Sequence, residues 1–292
     1  MTDSLESLRN RVDGANDLQA VVRTMKAMSA SNITQYENAV LALNNYYETV
    51  QQGFSACLKD VGLAPLFFEK SGAKKTAVVI VFGSDQGLVG RFNDSLAEYV
   101  SEQLSSISAA QKVWVVGERM YDRLQDKGLD LEACLSVPSS VEGVSPLIRD
   151  LLIATEQLWD ADLQSPLYLF HQKPSEQAGQ YEPFTRSVLP MDLSWQKTLQ
   201  AQKWHGPSLP ETLGTSALTL RALIREYLFV SLYQSAAESL ASENASRLIA
   251  MQRAEKNIEE MLTNLQHEYH HQRQESIDAE LFDVVAGYSS DD

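Results

Sequence analysis

From Leu223 to Ser276 one spacing repeats without a break: Leu223, Tyr227, Val230, Gln234, Ala237, Ala241, Asn244, Leu248, Met251, Glu255, Ile258, Leu262, Leu265, Tyr269, Gln272 and Ser276 follow at intervals of three and four. Such steps return every side chain to one face of an α-helix. Neither Pro nor Gly interrupts the run before Gly287. A helix of this length cannot lie inside a compact domain, so it needs a partner of similar reach. The first 61 residues supply one: they contain no Pro, and their apolar positions step through Leu5, Leu8, Val12, Ala15, Val22 and Met25. From Ile33 the stepping continues through Tyr36, Val40, Leu43, Tyr47, Val50, Phe54, Cys57 and Val61 at the period of a coiled-coil seam. Such a helix runs on the order of 80 Å. The phase slips across Met28-Ser-Ala-Ser-Asn32, which locally unwinds a supercoil. Small or polar Ala237, Ala241 and Asn244 permit close approach of two helices. Gln234, Glu255 and Gln272 make the seam weaker than a leucine zipper and suit it to contacts that can be remade. The same periods also fit long core helices of an all-α bundle.

Between the two helical stretches the pattern changes. Thr76–Phe82 is a short, apolar, β-branched run followed by a Gly-rich turn and a helical stretch, Asp94–Ile107. Lys112–Val116 repeats the strand signal, Glu118–Gln125 reads as helix and Leu131–Val137 as a weaker strand. Val144–Trp159 is an amphipathic helix, Pro166–Phe170 a buried strand and Tyr181–Leu189 the last strand. Alternation of this kind predicts a small doubly wound domain over residues 74–192, with Trp195–Pro210 as the linker back to the second helix. The expected fold is therefore α/β: a long antiparallel coiled coil of an N-terminal helix (1–61) and a C-terminal helix (209–287), with an inserted Rossmann-like α/β domain.

Composition narrows the function. With 24 Lys and Arg against 39 Asp and Glu, the net charge of −15 disfavours unaided binding to nucleic acid or anionic lipid. Two lone cysteines, Cys57 and Cys134, far apart in sequence, give no metal-binding spacing and no disulfide framework, which makes a reducing compartment the expectation. No apolar stretch reaches the roughly 18 residues of a spanning helix, and Met1-Thr-Asp-Ser-Leu-Glu-Ser7 lacks the pattern of a signal peptide, so a cytoplasmic location without membrane insertion is expected.

Two motifs invite a chemical reading. His267-Glu268-Tyr269-His270-His271 satisfies H-E-x-x-H on a helix, the spacing of a zinc hydrolase that would use His267, Glu268 and His271. Tyr269 holds the seam register, however, which puts both imidazoles on solvated flanks, and no third ligand is placed to turn back. Gly83-Ser-Asp-Gln-Gly-Leu-Val-Gly90 follows the first strand, where a phosphate cradle would sit. It is neither G-x-G-x-x-G nor a P-loop, and a tight strand-to-helix connection explains its glycines better. His171 and His205 are isolated and read as core or loop residues. No catalytic residue, cofactor or metal site is assigned.

Three segments together resemble the gamma subunit of F-type ATP synthases. These are Leu8-Arg-Asn-Arg-Val12 with Arg23-Thr-Met-Lys26, then Ser84-Asp-Gln-Gly-Leu-Val-Gly-Arg-Phe-Asn93, and finally Ser242-Glu-Asn-Ala-Ser-Arg-Leu-Ile-Ala-Met251 with Arg273-Gln-Glu-Ser-Ile-Asp-Ala-Glu-Leu281. The resemblance implies a non-catalytic rotor whose paired helices turn inside a ring of alpha and beta subunits. Its α/β domain would stand on the c-ring beside the epsilon subunit, on the cytoplasmic face of the cell inner membrane. It implies that ion flow is coupled to ATP synthesis or hydrolysis, and that Arg23, Met25, Arg273, Gln274, Asp278 and Glu280 face the partners. The chain departs from the family pattern in having Val89 for Cys, no Lys or Arg between Lys26 and Lys59, Asp278 for Thr, and the acidic tail Gly287-Tyr-Ser-Ser-Asp-Asp292. These departures describe a divergent member, for which an alternative sodium-translocating rotary ATPase is one setting; proton and sodium both remain open. A non-rotary coiled-coil scaffold is the competing reading.

Overall fold

The computed structural model describes residues 5–61, 76–107, 109–159, 165–175, 180–191, 193–201, 210 and 215–289. In chain order the elements are α1 (Leu5–Val61), β1 (Thr76–Phe82), α2 (Phe92–Ser106), β2 (Ala110–Val116), α3 (Glu118–Asp126), β3 (Ala133–Leu135), α4 (Val144–Trp159), β4 (Leu167–Pro174), β5 (Tyr181–Leu189), α5 (Leu193–Ala201) and α6 (Ser216–Ser289). The chain is mixed α/β and mostly helical. It divides into two compact units, one of α1 up to Ala30 with α6 from Arg247, the other spanning Ser31–Ser246.

In the larger unit the strand order is β3-β2-β1-β4-β5. The β1 strand pairs in parallel with β2 and β4, and β2 in parallel with β3, whereas β4 and β5 are antiparallel. The sheet is thus mixed, and the expected doubly wound domain ends instead in a hairpin. β1 is buried on both faces, which explains its unbroken apolar run. Its Val78, Ile80 and Phe82 pack with Ile148 and Leu151 of α4, Leu228 and Leu232 of α6, and Tyr36, Val50 and Phe54 of α1. Val79 and Val81 point the other way, among Leu96 and Val100 of α2 and Met120 and Leu124 of α3.

Within this unit, residue numbers rise along α1 as they fall along α6. Asn32 Nδ2 donates to Asn244 Oδ1 at 3.3 Å and the Tyr46 hydroxyl donates to Glu226 at 2.5 Å. The Phe54 and Tyr227 rings meet edge to face at 6.2 Å. Gly53 lies where the helices nearly touch: a Cβ there would come within 2.8 Å of a Leu223 methyl. Two boundaries differ from expectation. Leu193–Ala201 is helix rather than linker, because Leu199 and Trp195 pack on the same core as α6. The second long helix runs past Gly287 to Ser289 and begins at Ser216. Expected positions 1–4, 74–75, 192 and 209 lie outside the described residues, as do His205 and the end of the acidic tail.

In the smaller unit a narrower apolar cluster joins Leu8, Ala15 and Val22 of α1 to Met251, Ile258, Leu262 and Leu265 of α6. All of these sit on the series that the sequence picks out.

Candidate functional site

In a doubly wound sheet, ligands bind outside the carboxyl ends of the strands, at the point where strand order reverses. Here that point lies between β1 and β4, and the turn after β1 is the Gly83–Gly90 segment. Gly83 is required by crowding, since a Cβ would fall 2.2 Å from Cβ of Met120. Gly117 (φ 110°) faces it from the end of β2, where a Cβ would lie 2.7 Å from the Ser84 nitrogen. Leu88 (φ 61°) and Gly90 (φ 57°) both take left-handed backbone, a conformation that strains the leucine.

The turn satisfies its own polar groups. Ser84 N–H donates to Asn93 Oδ1 at 3.2 Å, and Asn93 Nδ2 donates to Ser84 Oγ at 2.8 Å. Asp85 accepts from the backbone nitrogen of Glu118, the first residue of α3, at 3.0 Å and from Val137 N–H at 2.9 Å. A carboxylate therefore stands at the α3 N-terminus, the place where an oxyanion of a nucleotide would otherwise be attracted.

Helix α6 fills the rest of the crevice. Ser239 Oγ donates to the carbonyl of Phe82, the last residue of β1, at 3.0 Å, and Ser242 Oγ donates to that of Gln172 in β4 at 3.1 Å. Ser246 Oγ donates to the Val89 carbonyl and receives the Tyr181 hydroxyl at 2.9 Å. What remains between Phe82, Val116, Pro138 and Ser239 is a cavity of about 10 Å³, room for at most about one water. The Gly-rich turn is thus a seat for α6 as well as a tight strand-to-helix connection.

Beside the serines lies a cluster that the sequence did not reveal. His171 of β4 is fully buried, and its Nε2 lies 2.8 Å from Glu238 Oε2. Arg186 of β5 approaches the same oxygen at 3.5 Å and donates to Gln234 Oε1 at 2.7 Å. Gln234 Nε2 donates to Glu238 Oε1 at 2.8 Å, closing the circuit. Burial pushes the His171 pKa below the ordinary imidazole value, against the pull of Glu238. Burial pushes Glu238 upward, but its hydrogen bond from His171 and the charge of Arg186 outweigh this and hold it below the usual carboxylate range. The pair is therefore a carboxylate accepting from a neutral imidazole. The one usable signal in the sequence was Glu238 itself, an acid inside a helical stretch of Ser and Ala.

In the smaller unit Glu255, at its seam position, draws in two cations. Arg23 Nε lies 3.0 Å and Lys26 Nζ 2.5 Å from its carboxylate, and Arg23 also reaches Glu259 at 3.7 Å. The hydrogen bonds from Lys26 and then Arg23 hold the Glu255 carboxyl below its usual range. Met25 is half-buried against the apolar cluster, while Arg273, Gln274, Asp278 and Glu280 are exposed on α6. The structure thus brings Arg23 and Met25 to the helix pair and leaves the other four facing solvent. His267, Glu268 and His271 are exposed too, and His271 Nδ1 lies 3.5 Å from Glu275. Among the described residues no group of three or more His, Cys, Asp or Glu side chains is placed to hold a metal ion, and no helix is long and apolar enough to cross a membrane.

The model of the ATP synthase family matches residues 4–290. The ATP synthase gamma chain of Wolbachia sp. subsp. Brugia malayi is 27% identical over 300 residues, covering 98% of this chain and 99% of the relative. That of Granulibacter bethesdensis is 27% identical over 301 residues, covering 97% and 98%. Among solved structures, the rotor of the Euglena gracilis mitochondrial ATP synthase aligns with a TM-score of 0.57 at 14% identity over 94% of this chain and 98% of that one. A chain of the central stalk and c-ring of the Tetrahymena thermophila mitochondrial enzyme aligns with a TM-score of 0.54 at 20% identity, covering 80% and 99%.

Proposed function

The chain belongs to the ATP synthase family, whose model spans nearly all of it, and from that membership we infer that it is the gamma subunit, the rotor of the central stalk. It is a non-catalytic part of the machine. It couples ion flow through the membrane ring to ATP synthesis or hydrolysis in the alpha and beta subunits, and its other partners are the epsilon subunit and the c-ring. The observation that carries this reading is the closed crevice: where an α/β enzyme would hold its ligand, this chain seats its own 74-residue helix. A domain that gives up its ligand site to grip a helix is built to turn that helix.

In this reading the terminal helices, 1–61 and 209–287, form an antiparallel coiled coil, and residues 74–192 are the Rossmann-like domain inserted between them. The separate apolar clusters along α1 and α6 support it. The subunit sits peripherally on the cytoplasmic face of the inner membrane. Arg23, Met25, Arg273, Gln274, Asp278 and Glu280 meet the beta subunits; the exposure of the last four supports their part. Rotation then biases each partner through unequal contact energies with its conformers, which is all that a ligand of a multistate protein needs to do.

Native mass spectrometry of the chain co-expressed with its alpha and beta partners tests this. One copy per three alpha and three beta subunits is expected. Absence of any complex would overturn it in favour of a scaffold, and stoichiometric zinc lost on His267→Ala would favour the hydrolase.

A further inference from the structure

We propose that Glu238, held between His171 and Arg186, is the positioning residue that keys α6 to the β4–β5 hairpin, so that helix and sheet turn together without slipping. This goes beyond the rotor reading and rests on it for its purpose, though not for its geometry. Apolar contacts between a helix and a sheet are non-directional and tolerate small rotations and slides. The serine hydrogen bonds join neutral partners and are individually weaker than bonds to a charged group. The Glu238 cluster is different in kind. Both carboxylate oxygens are engaged, one by His171 and Arg186 and the other by Gln234, and Arg186 ties Gln234 back to the same circuit. Two strands and one turn of helix are thereby fixed at a single point by charge-assisted, directional bonds.

Stability alone does not account for this arrangement. A buried charged cluster is often no more stabilising than apolar residues of the same volume. This one leaves His171 Nδ1 and Arg186 Nε without a hydrogen-bond partner among the described residues. Its place in the fold is also telling, because it joins α6 to both strands of the antiparallel pair at the edge of the sheet.

The cluster predicts an acid dependence with a definite sign. The charged groups around His171 are Lys173 of β4, Arg186 of β5 and Glu238 of α6. One carboxylate already balances Arg186, so a proton on His171 would add an uncompensated buried cation. Because folding lowers the His171 pKa, the stabilisation is complete above the ordinary histidine range and is lost as pH falls below about 6.5.

Two measurements decide it. In the isolated full chain, amide protection in β4, β5 and Gln234–Ser246, corrected for the intrinsic exchange rate, should fall as pH is lowered from 8 to 5.5, because the opened state binds the His171 proton more readily than the folded one. His171→Gln should remove that pH dependence, while Leu169→Val should lower protection and leave its pH dependence intact. In the complete complex reconstituted in vesicles, Glu238→Gln should retain ATP hydrolysis and lose ions pumped per ATP, and Glu238→Asp should restore part of the loss. A Glu238→Gln complex that pumps as the unaltered one does, or an exchange profile indifferent to His171→Gln, would overturn the proposal. If the unaltered complex itself fails to assemble, the rotor reading falls, and the exchange experiment still decides whether the lock exists.

Discussion

Between Ser231 and Ser246, α6 is buried on nearly every side and carries Ser231, Ser235, Glu238, Ser239, Ser242, Glu243, Asn244 and Ser246 into that burial. From Met251 onward it buries only a stripe, Met251, Ile258, Leu262 and Leu265, and leaves Met261, Ile277, Leu281 and Phe282 exposed. One helix is thus held in two ways. A polar segment surrounded by strand ends is fixed in rotation and in translation, because each hydroxyl must find its own carbonyl. An apolar stripe fixes only which face points inward, and leaves the rest of the circumference free to meet other molecules. The first mode suits an anchorage, the second a working surface.

The contrast can be broken most forcefully at the centre of the sheet. Ile80→Ala empties a fully buried position of β1 and should lower stability by about 3–4 kcal/mol, read as a fall in the thermal midpoint. The same truncation at Leu262 should cost about 2 kcal/mol, with faster amide exchange confined to Leu8–Val22 and its partners on α6. Equal losses would show that the stripe is no weaker than the anchorage. Next, Ser239→Ala removes the hydroxyl with little change of volume and leaves the Phe82 carbonyl without this donor, for an expected loss of about 1–2 kcal/mol by denaturant unfolding; no change would mean the serine face is mere small-residue packing. Met25→Lys should leave assembly intact and reduce ions pumped per ATP, by setting a third cation beside Arg23 and Lys26; unchanged pumping would remove Met25 from the interface. The smallest effect belongs to Arg23→Gln, less than about 1 kcal/mol and fading at high salt, since its guanidinium is more than half exposed.

Much of this was legible in the sequence. The Thr76–Phe82 and Tyr181–Leu189 strands and the Val144–Trp159 helix fall where their apolar patterns place them, because burial on a fixed face is what those patterns record. The hairpin of β4 and β5 was not legible, since strand direction is set by the connection and leaves no period behind. The Leu193–Ala201 helix was missed because Pro and Gly further along pulled the whole stretch toward linker. At the site, the glycines of Gly83–Gly90 declared a tight turn but could not say what closed over it. Ser242 and Ser246 stand in the segment that carries the family resemblance and Ser239 just before it, but no period or spacing says that backbone carbonyls stand opposite them. His171 and Glu238 lie 67 positions apart, and only the fold brings them to 2.8 Å.

An unbroken α6 has a consequence for how this chain can change over time. Each residue added to an α-helix turns everything beyond it by about 100°. A single insertion between Met251 and Ile258 would therefore turn Ile258, Leu262 and Leu265 off the face that Met251 shares with Leu8, Ala15 and Val22 of α1. Substitution leaves that phase untouched. A lineage can accordingly exchange most of its side chains along α6, provided it never miscounts them.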